Sequence, residues 1–238
     1  MNKLIRLDKF LSDMKIASRR EIKEYGKKGR IKVNGIISKS TDIKIDTTKD
    51  IVSVDENEIK YQQFEYYMLN KPAGIVSATT DNIDTTVIDL FKSEKSKDLF
   101  PVGRLDKDTV GLLLITNDGV LAHNLLSPSK HIDKTYFVRV EGRLDKDAKE
   151  KFANGIKLND GTVTKPAELI ILKDDEISEV KVTISEGKFH QVKRMIADVG
   201  GKVLYLKRLS MGKLLLDDKL IEGEYRRLSE DEIDLLKR

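Results

Sequence analysis

"GRLDKDTVGLLLITNDG" occupies Gly103–Gly119; its first six residues return at Gly142–Asp147, and the inner RLDK appears a third time at Arg6–Lys9. The surroundings separate the copies. In the first, Asp106 sits in a glycine-flanked loop that feeds a continuous aliphatic run, Leu112–Ile115, predicted as a buried strand that ends at an Asn117-Asp118-Gly119 turn. A carboxylate at the mouth of a buried strand is a common place to build a site. In the second, Asp145 precedes a run of helix formers from Lys146 to Asn154 that stops at Gly155. There it reads as an N-cap, worth about 1 kcal/mol of stability and carrying no chemistry. In the third, Asp8 falls in the first turn of a short helix, where the dipole favours an acid. The repeats are therefore not a duplicated site, and Asp106 is the copy to which chemistry is assigned. Taken alone, a loop aspartate is compatible with nucleophile, base or turn cap.

The rest of the chain narrows the chemistry around that residue. The 238 residues contain no cysteine, which excludes disulfides, thiolate metal sites and a catalytic thiol. His123, His131 and His190 are scattered without metal-ligand spacing, and no glycine-rich phosphate loop or dinucleotide fingerprint is present. No cofactor and no metal are expected, and no histidine reads as a metal ligand. The opening MNKLIRLDKF has no apolar run of signal-peptide length, and no stretch approaches a membrane span. A soluble, cytoplasmic protein with no membrane partner is expected.

Charge is concentrated at one end. Between Lys15 and Lys32, eight basic residues (Lys15, Arg19, Arg20, Lys23, Lys27, Lys28, Arg30 and Lys32) face two acidic ones, so this stretch exceeds the whole-chain net charge of +4. Such a patch reads either as a polyanion contact or as a solvated helix face. Leu7, Phe10, Leu11 and Met14 stand at the spacing of an amphipathic helix. Ser18-Arg19-Arg20-Glu21 is a capping-box sequence that opens a second helix, with Ile22 and Tyr25 inward and Gly26 and Gly29 at its end. "RIKVNGIIS" carries an Asn34-Gly35 hairpin signal, and the polar "DENEIKYQQFEY" (Asp55–Tyr66) reads as a link. Two small helices, a basic stretch and a hairpin resemble the S4-type (αL) RNA-binding domain, which implies RNA binding but no particular reaction.

From Tyr66 onward, short apolar runs alternate with turns and a few helical stretches. Val192, Met195, Ile196 and Val199 form one helix stripe that stops at Gly200-Gly201. Lys193 and Arg194 project from another face, early in that helix, where the dipole disfavours cations. Each therefore calls for an anionic neighbour, unless both are solvated surface charges. Tyr136 opens an alternating strand and on that ground alone reads as core.

"GRLDKDTVGLLLITNDG" also resembles the active-site motif of the RsuA-type pseudouridine synthases. "YYMLNKPAGIVSATTD", "DKTYFV", "TKPAEL", "EGKFHQVKRM" and "EGEYRRLSEDEI" match that family in the same order, so the likeness covers nearly the whole chain. The implied fold is α+β: an S4-like domain over residues 1–60, then a mixed, largely antiparallel sheet with flanking helices over residues 61–238. The implied activity is isomerisation of a uridine in 16S rRNA, a 516-type site, without cofactor. A 23S rRNA enzyme of the same family and a non-catalytic S4-domain assembly factor are the alternatives. The resemblance assigns catalysis to Asp106, Tyr136 and Lys193, with Arg194 the second choice for the cation that keeps Asp106 ionised. Arg104 is implied to help hold the target nucleotide out of its stack. His190, Gln191 and Arg194, with Arg19, Arg20, Lys23, Lys27, Lys28 and Arg30, are the expected RNA contacts. Asn70-Lys71-Pro72 is implied to be structural. The expected partner is ribosomal RNA or a small-subunit assembly intermediate, bound by a monomer.

Overall fold

The computed structural model describes residues 4–61, 64–92 and 98–237. The chain divides into two compact units, Met1–Phe64 and Glu65–Arg238.

In the first unit, β1 (Leu4–Arg6) runs into α1 (Leu7–Asp13), followed by α2 (Arg19–Lys27), β2 (Ile31–Val33), β3 (Ile36–Ile37), β4 (Lys44–Asp46), β5 (Val52–Val54) and β6 (Asn57–Ile59). β1 pairs with β4, and the other strands form an antiparallel sheet in the order β3-β2-β5-β6. The helix stripe meets the sheet in a small core of Leu7, Phe10, Leu11, Ile22, Ile31, Ile45 and Val52, each at most 1% exposed. Full burial of such side chains contributes roughly 1.5–3 kcal/mol apiece, which a unit this small needs. The capping box forms as read: Glu21 N–H donates to Ser18 Oγ, and Ser18 N–H donates to Glu21 Oε2 at 2.9 Å. Asn34 and Gly35 make the β2–β3 turn.

Three local readings change. Gly26 does not stop α2. It lies inside the helix because a Cβ there would stand 2.8 Å from Thr41 and 2.9 Å from the Lys39 carbonyl. Asp8 is more than a first-turn acid: it is buried and takes two hydrogen bonds from the Arg6 guanidinium, at 2.8 and 3.1 Å. The polar segment after Val54 is not all link. Asn57–Ile59 is a strand and Tyr61 stacks on Phe10, so residues 55–61 belong to the first unit.

The second unit contains β7 (Tyr66–Lys71), β8 (Phe100–Pro101), β9 (Val110–Thr116), α3 (Gly119–Leu126), β10 (Lys134–Glu141), α4 (Ala148–Asn154), β11 (Glu168–Lys173), β12 (Ile177–Ile184), α5 (Gln191–Asp198), β13 (Lys202–Met211), β14 (Leu214–Leu215), β15 (Tyr225–Arg227) and α6 (Glu230–Lys237). Among the described residues the sheet runs β11-β12-β10-β13-β9-β7-β15, with β8 on β9 and β14 on β13. It is mixed and largely antiparallel: among the described strands only β9 and β13 pair parallel. Every residue of β9 is buried, so both its faces are covered, which explains its unbroken aliphatic run. Gly111, at φ +102°, lies against the β13 backbone at Arg208. A Cβ there would lie 2.3 Å from the Arg208 carbonyl oxygen.

The stripe of α5 is buried as read: Val192, Met195, Ile196 and Val199 are at most 4% exposed. The Asn117-Asp118-Gly119 "turn" is a helix start, with Asp118 accepting from the Val120 and Leu121 amides to cap α3. The cap assigned to Asp145 is absent. α4 begins at Ala148 with Asp147 at its cap position, and the Asp145 carboxylate instead accepts from Lys151 Nζ at 3.1 Å. Among the described residues no helix is long and apolar enough to cross a membrane.

Candidate active site

The loop from Gly103 to Asp108 joins β8 to β9, and its backbone is gripped from below. Lys71, the last residue of β7, is fully buried, and its ammonium donates to the carbonyls of Pro72, Asp106, Lys107 and Thr109 at 2.9–3.3 Å. Ser77 Oγ donates to the Leu105 carbonyl and accepts from the Leu105 amide, at 2.9 and 3.0 Å. Burial lowers the Lys71 pKa to about 8, against the pull of Asp108 and Asp106. At neutral pH the group is mostly charged and keeps its hydrogens for the four carbonyls. The folded value lies below that of the unfolded chain, so the penalty for burying this charge is present at neutral pH and is relieved only above about pH 8. The expected result for Lys71→Met is destabilisation by roughly 2–4 kcal/mol, because orphaned buried carbonyls outweigh the relief of that penalty. Urea unfolding checks it, and an unchanged midpoint would remove Lys71 as the brace of this loop.

Held this way, the Asp106 carboxylate meets α5. Lys193 Nζ lies 3.1 Å from Asp106 Oδ2 and 2.5 Å from Asp108 Oδ1. His190 Nε2 lies 3.6 Å from Asp106 Oδ1. Burial alone would lower the Lys193 pKa, but hydrogen bonds to Asp108 and Asp106 outweigh it and hold it above the ordinary value. Burial likewise opposes ionisation of Asp108, and the Lys193 hydrogen bond overcomes it, so its carboxyl sits below the usual range. The two carboxylates supply the anions that a cation in the first turn of a helix requires. Tyr136, 7% exposed on β10, faces the same small cavity of about 80 Å³ as Asp106, Arg104, Lys188 and His190. His190 adopts a left-handed conformation at φ 48° where it opens α5, and Phe189, 76% exposed, stacks on its ring with centroids 3.8 Å apart.

The sequence-predicted residues therefore separate into groups. Asp106, Tyr136, Lys193, Arg104 and His190 converge. Arg194 turns away and pairs with Asp160 at 2.6 Å; the Asp160 carboxyl falls to about 2, through the Thr162 amide first and Arg194 next. Gln191 is buried in the wall of the Asp106 cavity, where its amide donates to Glu186 at 2.9 Å and its oxygen accepts from the Lys188 amide. In the first unit Arg19, Arg20, Lys23 and Lys28 are exposed, Lys27 pairs with Glu24, and Arg30 is drawn inward by a two-pronged pair with Asp55 and by the Tyr25 ring. A recess of about 240 Å³ there is lined by Arg6, Lys23, Lys27 and Lys39, of which Arg6 and Lys39 lie outside the charge count from Lys15 to Lys32. Asp108 was also missed, although it stands two residues from Asp106, because nothing local marks which acid faces α5. Among the described residues no group of three or more His, Asp or Glu side chains is placed to hold a metal ion.

Known proteins share this arrangement of units. Residues 65–198 match the RNA pseudouridylate synthase family, and residues 5–52 match the S4 domain. The chain is 44% identical over 234 residues to an uncharacterized RNA pseudouridine synthase, YtzG, of Bacillus subtilis (strain 168), covering 98% of each. It is 42% identical over 231 residues to the ribosomal small subunit pseudouridine synthase A of Vibrio vulnificus (strain CMCP6), covering 97% of this chain and 98% of that one. A crystal structure of a pseudouridylate synthase superposes with a TM-score of 0.68 at 38% identity, over 98% of this chain and 99% of the other. With an S4 domain ahead of a synthase domain, and relatives matched over nearly their full length, the chain belongs to the RNA pseudouridylate synthase family.

Proposed function

We propose that the protein converts a uridine of small-subunit ribosomal RNA, at a 516-type site, to pseudouridine, with Asp106 as the catalytic carboxylate. The observation that carries this reading is the Asp106 carboxylate, 28% exposed at the mouth of a cavity, 3.1 Å from the Lys193 ammonium and on the same cavity wall as Tyr136. The Vibrio vulnificus relative is named for the small ribosomal subunit, which supports the choice of RNA.

In this isomerisation the bond from C1′ of the ribose to N1 of uracil breaks, the base turns, and C1′ bonds to C5. The hydrogen on C5 leaves and N1 gains one, so atoms balance without a co-reactant. Asp106 serves either as nucleophile at the ribose or as base toward a sugar hydrogen, and both roles use the ionised carboxylate, which the Lys193 ammonium faces at 3.1 Å. Tyr136 packs against the turned base. The target must first leave its stack, at a cost of a few kcal/mol, and Arg104 at the cavity edge helps hold it out. His190 contacts the RNA beside the cavity. Arg194 contributes to RNA binding from its place beside Asp160.

The direct test incubates the purified protein with a 16S rRNA transcript and maps pseudouridine, alongside rRNA from cells lacking the gene. Pseudouridine in 23S rRNA alone would overturn the choice of RNA; none in either RNA would overturn the activity.

The exposed cations of the first unit are the expected anchor. Replacing Arg19, Arg20, Lys23 and Lys28 by glutamine weakens RNA binding and flattens the dependence of log Kd on log salt, by roughly 0.7–0.9 for each phosphate no longer neutralised. Anisotropy titrations at several salt concentrations measure this, and an unchanged slope would assign the anchor elsewhere.

A further inference from the structure

Beside the Asp106 cavity lies a larger one of about 470 Å³, whose walls include Arg104, Lys134, Tyr136, Lys165, Lys188 and Arg208. Arg208 sits on β13 directly opposite Tyr136 of β10, so the two side chains leave the same face of the sheet. It is 2% exposed. Its Nε donates to the Leu112 carbonyl at 2.7 Å, but its Nη2 is buried and has no hydrogen-bond partner among the described residues. Lys134 donates to the Ile132 carbonyl at 2.7 Å. Burial, and then repulsion from Arg208, lower its pKa.

The carboxylate among the described residues lining this cavity is Glu186, and it is already occupied. It accepts from the Lys165 amide and the Gln191 side chain, each at 2.9 Å, and lies 3.5 Å from Lys188 Nζ. A buried guanidinium N–H without an acceptor is destabilising, and a second cation close by adds to the penalty. An anion with several oxygens relieves both at once, and the planar fork of arginine suits a phosphate.

We propose that this cavity binds a backbone phosphate of the RNA, the one flanking the target uridine, through Arg208 and Lys134. Arg104, Tyr136, Gly187 and Lys188 line both cavities, so a nucleotide at Asp106 brings its neighbour's phosphate to the second. The proposal rests on the reading that a uridine is handled at Asp106.

The test uses the full chain and a stem-loop RNA in which each phosphate flanking the target uridine is replaced, one at a time, by a neutral methylphosphonate. Wild-type affinity is expected to fall about tenfold at one position, the scale of one charge-assisted hydrogen bond. Lys134→Met binds the unmodified RNA about tenfold more weakly, with a salt slope reduced by about 1, and the same methylphosphonate then weakens it no further. Arg208→Lys, which keeps the charge but loses the fork, falls between the two. Substituting the RNA leaves the protein intact, so a folding defect in a variant cannot produce the wild-type result. Equal losses in wild type and Lys134→Met, or no loss at either flanking position in wild type, would overturn the proposal. So would a flat methylphosphonate series in which inorganic phosphate raises the Tm of wild type but not of Lys134→Met, since the cavity then takes free phosphate. Pseudouridine formation on the unmodified RNA is scored separately: its absence counts against the uridine reading, whereas its presence with a flat series counts against the phosphate site alone.

Discussion

Asp106→Asn is expected to leave the protein folded and to lower isomerisation by at least about 10²-fold whether the carboxylate acts as base or nucleophile. The fold survives because the loop is braced through backbone groups. Lys71 grips the Asp106 carbonyl and the Thr109 amide donates to it, and neither bond involves the side chain being changed. A carboxamide has nearly the same shape, so Lys193 loses a charged partner but no space opens. Asp145→Asn should keep both fold and activity. That carboxylate sits at the surface, bridged to Lys151 at 3.1 Å, and exposed pairs of this kind contribute about 0–1 kcal/mol. Pseudouridine yield and a thermal melt of each variant decide the matter. Equal loss of activity in the two variants would end the distinction between the repeats.

What was legible in the sequence was what local chemistry settles. The Ser18–Glu21 box, the Asn34-Gly35 hairpin and the α5 stripe depend on residues a few positions apart, and all three formed. Asp106 lines a cavity and Asp145 pairs with Lys151 at the surface, but the cap read for Asp145 did not form. Its run of helix formers predicts a helix but not its first turn, and α4 starts beyond it at Ala148. The ordered motifs gave the family and the S4-plus-synthase layout, where the residue-by-residue reading had stopped at an aspartate of uncertain use.

The remainder was set by the sheet. Asp108 and Lys193 are 85 positions apart, and their contact depends on where β9, fed by the Asp106 loop, lies relative to α5. Lys71 reads as an ordinary strand-end lysine until the loop it holds folds over it. Arg208 reads as one of two adjacent charges near the end of β13, and only its burial opposite Tyr136 marks it out. Gly26 was misread because a helical glycine carries no sign of the backbone that will pack on it. In each case the signal lies in tertiary neighbours, which spacing does not encode.

Lys193→Met is the second variant with a large expected effect, and the direction of its pH dependence follows from geometry. In the wild type one ammonium lies between two carboxylates, at 3.1 Å from Asp106 and 2.5 Å from Asp108, and its raised pKa keeps it cationic over the working range. Removing it leaves the acids facing one another, with His190 at 3.6 Å offering a charge only when protonated. The hydrogen bond that holds the Asp108 carboxyl below its usual range is then lost and the two acids face each other without a cation, so the acid limb of the pH–rate profile moves toward higher pH. The plateau falls too, because the carboxylate is no longer fixed in place. Lys193→Arg keeps the charge but not the compact point donor, so it loses activity with a smaller shift. Asp108→Asn leaves Lys193 wholly to Asp106 and should move the limb the other way or not at all. Arg194→Met breaks the pair with Asp160 and should weaken RNA binding with the limb in place. Single-turnover isomerisation against pH across these four variants separates the roles. A limb that moves for Arg194→Met and stays for Lys193→Met would transfer the partnership with Asp106 to Arg194. A limb unmoved by either would mean that neither cation of α5 acts on the carboxylates of the Asp106 loop.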